Sequence, residues 1–255
     1  MLSSNKKSAI IEMIYSVVSK KLIAYKPESH HMPFHHRLLG KNRMALFSFV
    51  QSLNTTLGTS IFESVAKILA EGIFDSVKTQ YSLPKEISKG AQDAITDIIN
   101  KLSNGKKMTR KEIDKIILPQ ALSDEINILK PNKVDIFLKN KNQVYLIDIK
   151  TVKPNIGEFK NYKKQILEWA VIYKKYNNDS NVHSLIAMPY NPYHPKPYER
   201  LTIKDIFDTD EEIKIAEEFW NFLAGGDCYD ELLDCFAKAG NRLQPEIDKK
   251  FTSLK

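Results

Sequence analysis

Apolar residues recur at the spacing of a helix through the first half of the chain. This pattern predicts helices at residues 6–24, 42–53, 60–71 and 91–102 and, with an interruption at Pro119, at 109–128. A loop is expected between the first two of these helices, up to about Gly40. The region up to about residue 128 is therefore predicted to be helical.

The pattern then changes to the alternation of a strand. β-Branched and aromatic residues fill 134–138 and 144–149 on either side of the polar tetrad 139–142, which is typical of a β-hairpin. Beyond it we expect an amphipathic helix with lysines on its polar face, a strand and two more helices, at residues 158–176, 182–188, 210–224 and 227–240. This order predicts a single α/β domain over residues 1–255, with a mixed central sheet flanked by helices and with helical N- and C-terminal parts.

Three functional side chains gather at one end of the predicted hairpin. Side chains alternate faces along a strand, so Asp148 and Lys150 lie on the same side. With the turn centred on Asn140–Lys141, Asp135 faces Leu146, shares that side and lies diagonal to Asp148, at about 7 to 8 Å. A slip of one residue would move Asp135 to the other face.

Two carboxylates and one amine on a common face suit the chemistry of a metal-dependent phosphodiesterase. A phosphodiester is anionic and repels hydroxide, so its hydrolysis needs a divalent ion to neutralise charge and activate water. Carboxylates are the hard oxygen ligands that Mg²⁺ prefers, and Lys150 would hold or deprotonate the attacking water. The alternative is a solvated hairpin with a lysine-rich tip, because Asp-x-Lys is frequent by chance.

The amino-acid composition indicates the kind of partner that the protein binds and the compartment in which it works. The chain has 255 residues and a net charge of +7 with a pI near 9.1, which favours an anionic partner. The apolar run 10–18 is broken by Glu12 and Ser16, so it indicates an amphipathic helix and neither a signal peptide nor a membrane span. Cys228 and Cys235 lack the spacing of a zinc site. We therefore predict a cytoplasmic protein with two buried thiols.

Asp135 and the triplet Asp148-Ile-Lys150 resemble the PD-(D/E)xK nuclease superfamily, although the nearest proline, Pro131, lies four residues before Asp135. Longer blocks are similar to the TdeIII family of type II restriction endonucleases. These blocks are residues 34–41, 58–63, 148–155, 189–200 and 216–223. The resemblance thus covers most of the chain, and its most specific part is the block 189–200, which is dense in tyrosine and proline.

The resemblance implies a restriction-endonuclease-like fold with Asp135, Asp148 and Lys150 as catalytic residues and Mg²⁺ as cofactor. It also implies double-stranded DNA as substrate, cut at a short GC-rich palindrome of the GGNCC kind, and a cognate DNA methyltransferase in the same system. The two-fold symmetry of a palindrome predicts a homodimer. Two alternatives stay open: a repair or recombination nuclease that recognises DNA structure, and a non-catalytic DNA-binding protein on the same fold.

Glu63 is a candidate for a third metal ligand, because members of the superfamily often bring a glutamate to the metal from a helix that precedes the hairpin. Ser60 and Glu63 also have the spacing of a capping box, which would use Glu63 to close the start of a helix. In the same way, Gln165 matches a glutamine that related nucleases place near the active site, but a surface amide that faces solvent is the default explanation.

Basic and aromatic residues in two segments are candidates for contact with DNA. Four of the six histidines lie between residues 30 and 36, without a cysteine that would complete a zinc site. The first candidates are His35, His36, Arg37, Lys41 and Arg43. The others are Lys153 and, in a loop that four prolines stiffen, Tyr190, Tyr193, Lys196 and Arg200. A solvated basic loop and a rigid cap over the sheet edge are the respective alternatives.

The C-terminal helices supply a further candidate surface. Phe219, Trp220, Phe222, Leu232 and Phe236 could form the interface of a dimer, with core packing as the competing explanation.

Overall fold

The chain divides into two compact units. A computed structural model describes residues 1–26, 31–122, 125–150, 156–198 and 206–253. One unit contains Met1–Ile68 and Cys228–Lys255, and the other contains Leu69–Asp227. We call them the helical unit and the sheet unit.

Helices and strands are numbered along the chain. The helices are α1 (Ser4–Ala24), α2 (Pro33–Leu39), α3 (Lys41–Thr56), α4 (Phe62–Ala70), α5 (Lys89–Ser103), α6 (Arg110–Ile117), α7 (Ile156–Tyr176), α8 (Thr209–Glu212), α9 (Glu217–Ala224) and α10 (Tyr229–Ser253). The strands are β1 (Ser76–Ser82), β2 (Glu86–Ser88), β3 (Ile126–Ile128), β4 (Lys133–Asn140), β5 (Gln143–Ile149), β6 (Asn181–Met188) and β7 (Ile213–Ile215). A π-helical turn (Leu57–Ile61) joins α3 to α4, and a 3₁₀ turn (Leu118–Leu122) follows α6.

The helical unit is built on the first and last helices, which lie side by side. The side chain of Ser3 accepts a hydrogen bond from the backbone of Lys6, so α1 begins with a conventional N-cap. Apolar residues on one stripe of α1 are buried: Ile10, Ile14, Val18 and Leu22. The hydroxyls of Tyr15 and Ser19 both donate to the Glu246 carboxylate on α10, at 2.7 and 2.6 Å. This pairing joins the two ends of the chain.

The sheet unit contains a five-stranded sheet in the order β1-β4-β5-β6-β7. β1, β4 and β5 are antiparallel neighbours, whereas β6 and β7 run parallel to β5. α7 connects β5 to β6, and its buried face packs with α5 on the strands. β2 and β3 form a separate antiparallel pair. The predicted fold class, α/β with a mixed central sheet flanked by helices, is confirmed.

Several predicted elements need correction in the first half of the chain. The expected loop before Gly40 contains α2, which begins at Pro33, where a missing backbone N–H costs nothing. The strand β1 was not predicted, because its sequence is mostly polar. The predicted helix 109–128 ends early, and its last residues form β3. The region before residue 128, expected to be helical, therefore also contains three strands.

The C-terminal part also differs from the prediction. The expected helix 210–224 is divided into α8, β7 and α9, because the β-branched Ile213 and Ile215 extend the sheet beside β6. The last helix runs to Ser253 and passes both Gly240 and Pro245. Core packing is confirmed for three of the residues proposed as an interface: Phe219, Trp220 and Leu232. Both cysteines are buried thiols, as predicted.

A buried network of charges joins β6, α6, α7 and α8. Glu212 is fully buried between Lys163 and Arg110, and its carboxylate accepts a hydrogen bond from the ammonium of Lys163 and one of 3.2 Å from Arg110. Arg110 also donates to the Asp114 carboxylate at 2.8 Å and to the carbonyl of Ser184 on β6 at 3.0 Å. Burial lowers the pKa of Lys163, although Glu212 opposes the effect. Lys163 was expected on the solvent side of α7, so the sequence pattern was wrong for this lysine.

Replacing Glu212 by Gln tests this network. The change leaves two buried cations without their shared carboxylate, and we expect it to lower the free energy of unfolding by about 3–5 kcal/mol. Urea unfolding followed by circular dichroism measures the change. The matched control is Glu211→Gln, since Glu211 is the exposed neighbour in the same short helix. Equal stability of the two variants would mean that the network does not support the fold.

Candidate active site

The position of the site follows from the pairing of β4 with β5. The two strands are joined by the tight turn Lys141–Asn142, and Ile136 lies opposite Ile147. The predicted register was wrong by two residues, because the turn lies one residue further along the chain than expected. A shift of two residues preserves the face, so Asp135 comes opposite Asp148 and not diagonal to it.

Asp135 is held at both oxygens by neighbouring groups. The backbone N–H of Ile149 donates to Oδ2 at 2.8 Å, and the side-chain amide of Gln80 donates to Oδ1 at 3.3 Å. The negative charge of Asp135 also acts on the Asp148 carboxyl. Gln80 lies on β1, the strand that the sequence pattern missed, and no motif pointed to it.

Asp148 is 2% exposed, at the end of β5. The ammonium of Lys150 lies 2.8 Å from Oδ2 of Asp148. This contact is an ion pair without the geometry of a hydrogen bond. In the described part of the chain, Oδ2 of Asp148 accepts no hydrogen bond. A buried carboxylate oxygen thus has a cation beside it and unused capacity as an acceptor.

Lys150 is fixed by the next strand and by α7. Its backbone N–H donates to the carbonyl of Ala187 on β6 at 2.9 Å. Its ammonium lies 4.8 Å from the centre of the Tyr162 ring, a distance typical of a cation–π contact. The side chain is therefore held between the ring of Tyr162 and the carboxylate of Asp148.

Burial and the neighbouring charges shift the pKa values of Asp148 and Lys150. Removal from water raises the pKa of the Asp148 carboxyl to about 7; Lys150 acts against this rise and Asp135 adds to it. Burial acts to lower the pKa of Lys150, but Asp148 and then Asp135 outweigh it, so that pKa is raised. The site thus combines a carboxyl that takes up a proton readily with a lysine that stays charged.

The comparison with known proteins decides the family. The family model of the type II restriction endonuclease HinfI matches residues 2–240. The chain belongs to this family. It is also similar to the type II restriction enzyme MjaII of Methanocaldococcus jannaschii, with 28% identity over 240 residues, in an alignment that covers 85% of this chain and 63% of MjaII. The chain thus spans less than two thirds of the length of that relative.

Family membership confirms two of the expectations. The fold is restriction-endonuclease-like, and the class implied by the resemblance, a type II restriction endonuclease, is the class of the matched family.

Among the described residues, no three His, Cys, Asp or Glu side chains come together as a metal-binding group. The predicted metal ligands Asp135 and Asp148 are thus adjacent, without a third acidic neighbour in those ranges.

Glu63 lies in the helical unit, whereas the two aspartates lie in the sheet unit. It is buried on the first turn of α4. The capping-box explanation is wrong, because Ser60 lies inside the π-helical turn and α3 continues through that turn into α4. No helix begins at Ser60. Its role as a metal ligand stays a prediction.

The first group of predicted DNA contacts lies on α2 and at the start of α3. His35, Arg37, Lys41 and Arg43 are exposed and His36 is half-buried. Gly40 has a φ of +82° between the two helices, a conformation that favours glycine. The Arg43 guanidinium donates to the carbonyl of Leu39 at 3.0 Å, so it also closes the end of α2.

The second group lies in the loop that follows β6. This loop begins at the same end of the sheet as Asp148 and Lys150, because β5 and β6 are parallel and Asp148 pairs with Ile186. Tyr190 and Lys196 are exposed there, and Tyr193 is half-buried. The amide of Asn191 donates to the carbonyl of Lys196 at 2.8 Å and fixes the loop. The predicted contacts Lys153 and Arg200 lie outside the described residues.

Gln165 lines a pocket on α7 together with Asn161 and Asn132. Its predicted role near the active site stays a prediction.

None of the helices in the described ranges has the length and apolar character that a bilayer crossing requires.

Replacing Asp148 by Asn should stabilise the metal-free protein above pH 7. Below about pH 4 the carboxyl is protonated in both states, and from there to about pH 7 it ionises first in the unfolded chain. The free energy of unfolding therefore falls as the pH rises through this window. Above pH 7 the free energy of unfolding of the variant should exceed that of the parent by about 4 kcal/mol, and this difference should disappear near pH 4.

Urea unfolding in EDTA across this pH range measures the difference. The control is Asp97→Asn, since Asp97 is exposed on α5. A variant that is less stable than the parent at pH 8 would contradict the assigned burial cost.

Proposed function

We propose that this chain is a Mg²⁺-dependent type II restriction endonuclease that hydrolyses phosphodiester bonds of double-stranded DNA at a specific sequence. The observation that carries the proposal is the pair of Asp135 and Asp148 on one face of the sheet, with Lys150 2.8 Å from Asp148. Membership of the HinfI family supports it.

The donor set fits Mg²⁺. Oδ2 of Asp148 is buried and accepts no hydrogen bond in the described ranges, and the adjacent Asp135 carboxylate supplies a second hard oxygen donor. Asp135 and Asp148 would hold the ion, and the prediction that Glu63 joins them remains part of the proposal. A bound Mg²⁺ would neutralise phosphate charge and lower the pKa of a water molecule.

The protein's own groups have separate tasks. The N–H of Ile149 holds the Asp135 carboxylate in place. The Lys150 ammonium, held over the Tyr162 ring, places a positive charge beside Asp148, where it can orient a water molecule and offset the charge that builds up on a phosphate. Because the pKa of Lys150 is raised, we assign it this role as a charged donor in preference to that of a general base.

The proposal includes the partners expected from the sequence. Double-stranded DNA is the substrate, and the net charge of +7 favours its binding. Lys153, Tyr190, Tyr193, Lys196 and Arg200 would contact DNA beside the catalytic residues. A homodimer would cut both strands of a palindrome, and a cognate methyltransferase would protect the host DNA. The resemblance to the TdeIII family extends the proposal to a GC-rich site of the GGNCC kind.

Substitution of the catalytic residues tests the chemistry. Asp148→Ala and Lys150→Ala should each abolish Mg²⁺-dependent cleavage of plasmid DNA while DNA binding is largely kept, because they remove a metal ligand and a charge-stabilising group. Cleavage is measured by gel electrophoresis, and binding is measured in Ca²⁺ by fluorescence anisotropy. The controls are Asp97→Ala and Lys139→Ala, both at exposed positions of the same unit.

Full cleavage by either catalytic variant would contradict the assignment. Binding without cleavage by the parent protein under all divalent ions would favour a non-catalytic DNA-binding protein. Sequencing the ends of the fragments distinguishes a restriction enzyme, which gives one recurring palindrome, from a nuclease that recognises DNA structure. The same ends test the GC-rich site.

Replacing Arg37 by Ala tests sequence recognition. Arginine binds guanine through two hydrogen bonds in the major groove, so the loss of such a contact should cost about 1–3 kcal/mol at one base pair. Binding is measured against single-base variants of the mapped site. Arg43→Ala serves as a comparison, because the Arg43 side chain already bonds Leu39. Uniform weakening on all sequences would assign Arg37 to the phosphates instead.

A further inference from the structure

Gln80 has a backbone conformation that strands rarely contain. Its φ is +50°, although it lies within β1. Among the described residues, the other non-glycine positions with positive φ are Lys141 and Ala216, and both lie outside the strands. For a residue with a β-carbon this region is disfavoured, so the conformation raises the energy of the folded state.

The strained residue lies at the register position opposite Asp135. Thr79 pairs with Ile136 and Tyr81 pairs with Val134, and the regular pairing is interrupted between them. The side-chain amide of Gln80 lies 3.3 Å from Oδ1 of Asp135. Strained backbone is characteristic of functional sites, where the surrounding structure maintains it. The strain therefore coincides with the carboxylate on which the site depends.

The chemistry of an amide suits a group that orients a metal-binding carboxylate. A lysine in its place would compete with a cation for Asp135, and a glutamate would repel that carboxylate. The amide donates a hydrogen bond and carries no charge, so it neither competes with a cation for Asp135 nor repels the carboxylate. With Ile149 bonded to Oδ2, the amide fixes the second oxygen and sets the plane of the carboxylate.

We propose that Gln80 is a positioning residue, which β1 holds in a strained conformation so that its amide orients the Asp135 carboxylate toward the cation shared with Asp148. The inference rests on the proposed function of the site. It makes two separate statements: the conformation costs stability, and the amide promotes cation binding and turnover. Gln80→Gly relieves the backbone strain and removes the amide.

Four variants separate these effects. Gln80→Gly removes the amide and relieves the backbone, and Gln80→Met removes the amide and keeps a side chain of similar length. Gln80→Asn retains an amide on a residue that tolerates positive φ. Lys141→Gly is the matched control, because it relieves a φ of +53° in the hairpin turn without touching Asp135.

We expect both glycine variants to shift the urea midpoint upward. Gln80→Gly and Gln80→Met should lower kcat by about 10- to 100-fold with little change in KM, as is usual when a partner of a metal ligand is removed. Lys141→Gly should keep the parent kcat, and Gln80→Asn should retain more activity than Gln80→Gly. Parent-like turnover in both Gln80→Gly and Gln80→Met would overturn the positioning role.

Calorimetric titration with Mn²⁺ supplies a readout that does not depend on cleavage. We expect about tenfold weaker binding in Gln80→Gly and Gln80→Met than in Lys141→Gly. Equal affinities would overturn the inference even if the proposed function holds. If the parent protein binds Mn²⁺ but cleaves no DNA, the proposed function fails and the comparison of affinities still decides the role of Gln80.

Discussion

The backbone pairing of β4 with β5 is the constraint on which the site depends. It places Asp135 opposite Asp148, and it brings the N–H of Ile149 to the Asp135 carboxylate at 2.8 Å. The two-residue turn Lys141–Asn142 sets this alignment, because it fixes how far each strand extends from the bend. One additional residue in the turn would send one carboxylate to the opposite face, and no change of rotamer would restore the pair.

The site is energetically unfavourable for the folded protein, and the surrounding structure maintains it. Burial of Asp148 and the positive φ of Gln80 both raise the energy of the native state. Glu212 joins Lys163 and Arg110 in a buried network that also bonds β6 at Ser184. The core formed by α5, α7 and the strands adds the apolar contribution. The charge network and the apolar core therefore offset the unfavourable energy of the site.

The sequence indicated the hairpin and the common face of Asp135, Asp148 and Lys150, because alternation depends on local chemistry. It misplaced the register by two residues, since Asn140 and Lys141 suit a turn as well as Lys141 and Asn142 do. The polar strand β1 gave no signal, since its pairing with β4 is a long-range contact. Gln80 and the buried Lys163 were missed for the same reason: their environments are formed by residues distant in the chain.

The helical unit is assembled from both ends of the chain, with the whole sheet unit between them. During synthesis, α1 leaves the ribosome more than two hundred residues before α10, its packing partner. Its buried stripe of Ile10, Ile14 and Val18 has to wait for that partner, whereas the sheet unit is complete at residue 227. The residues of the sheet unit are therefore all available for folding before α10 is synthesised, whereas the helical unit forms only after α10 has left the ribosome.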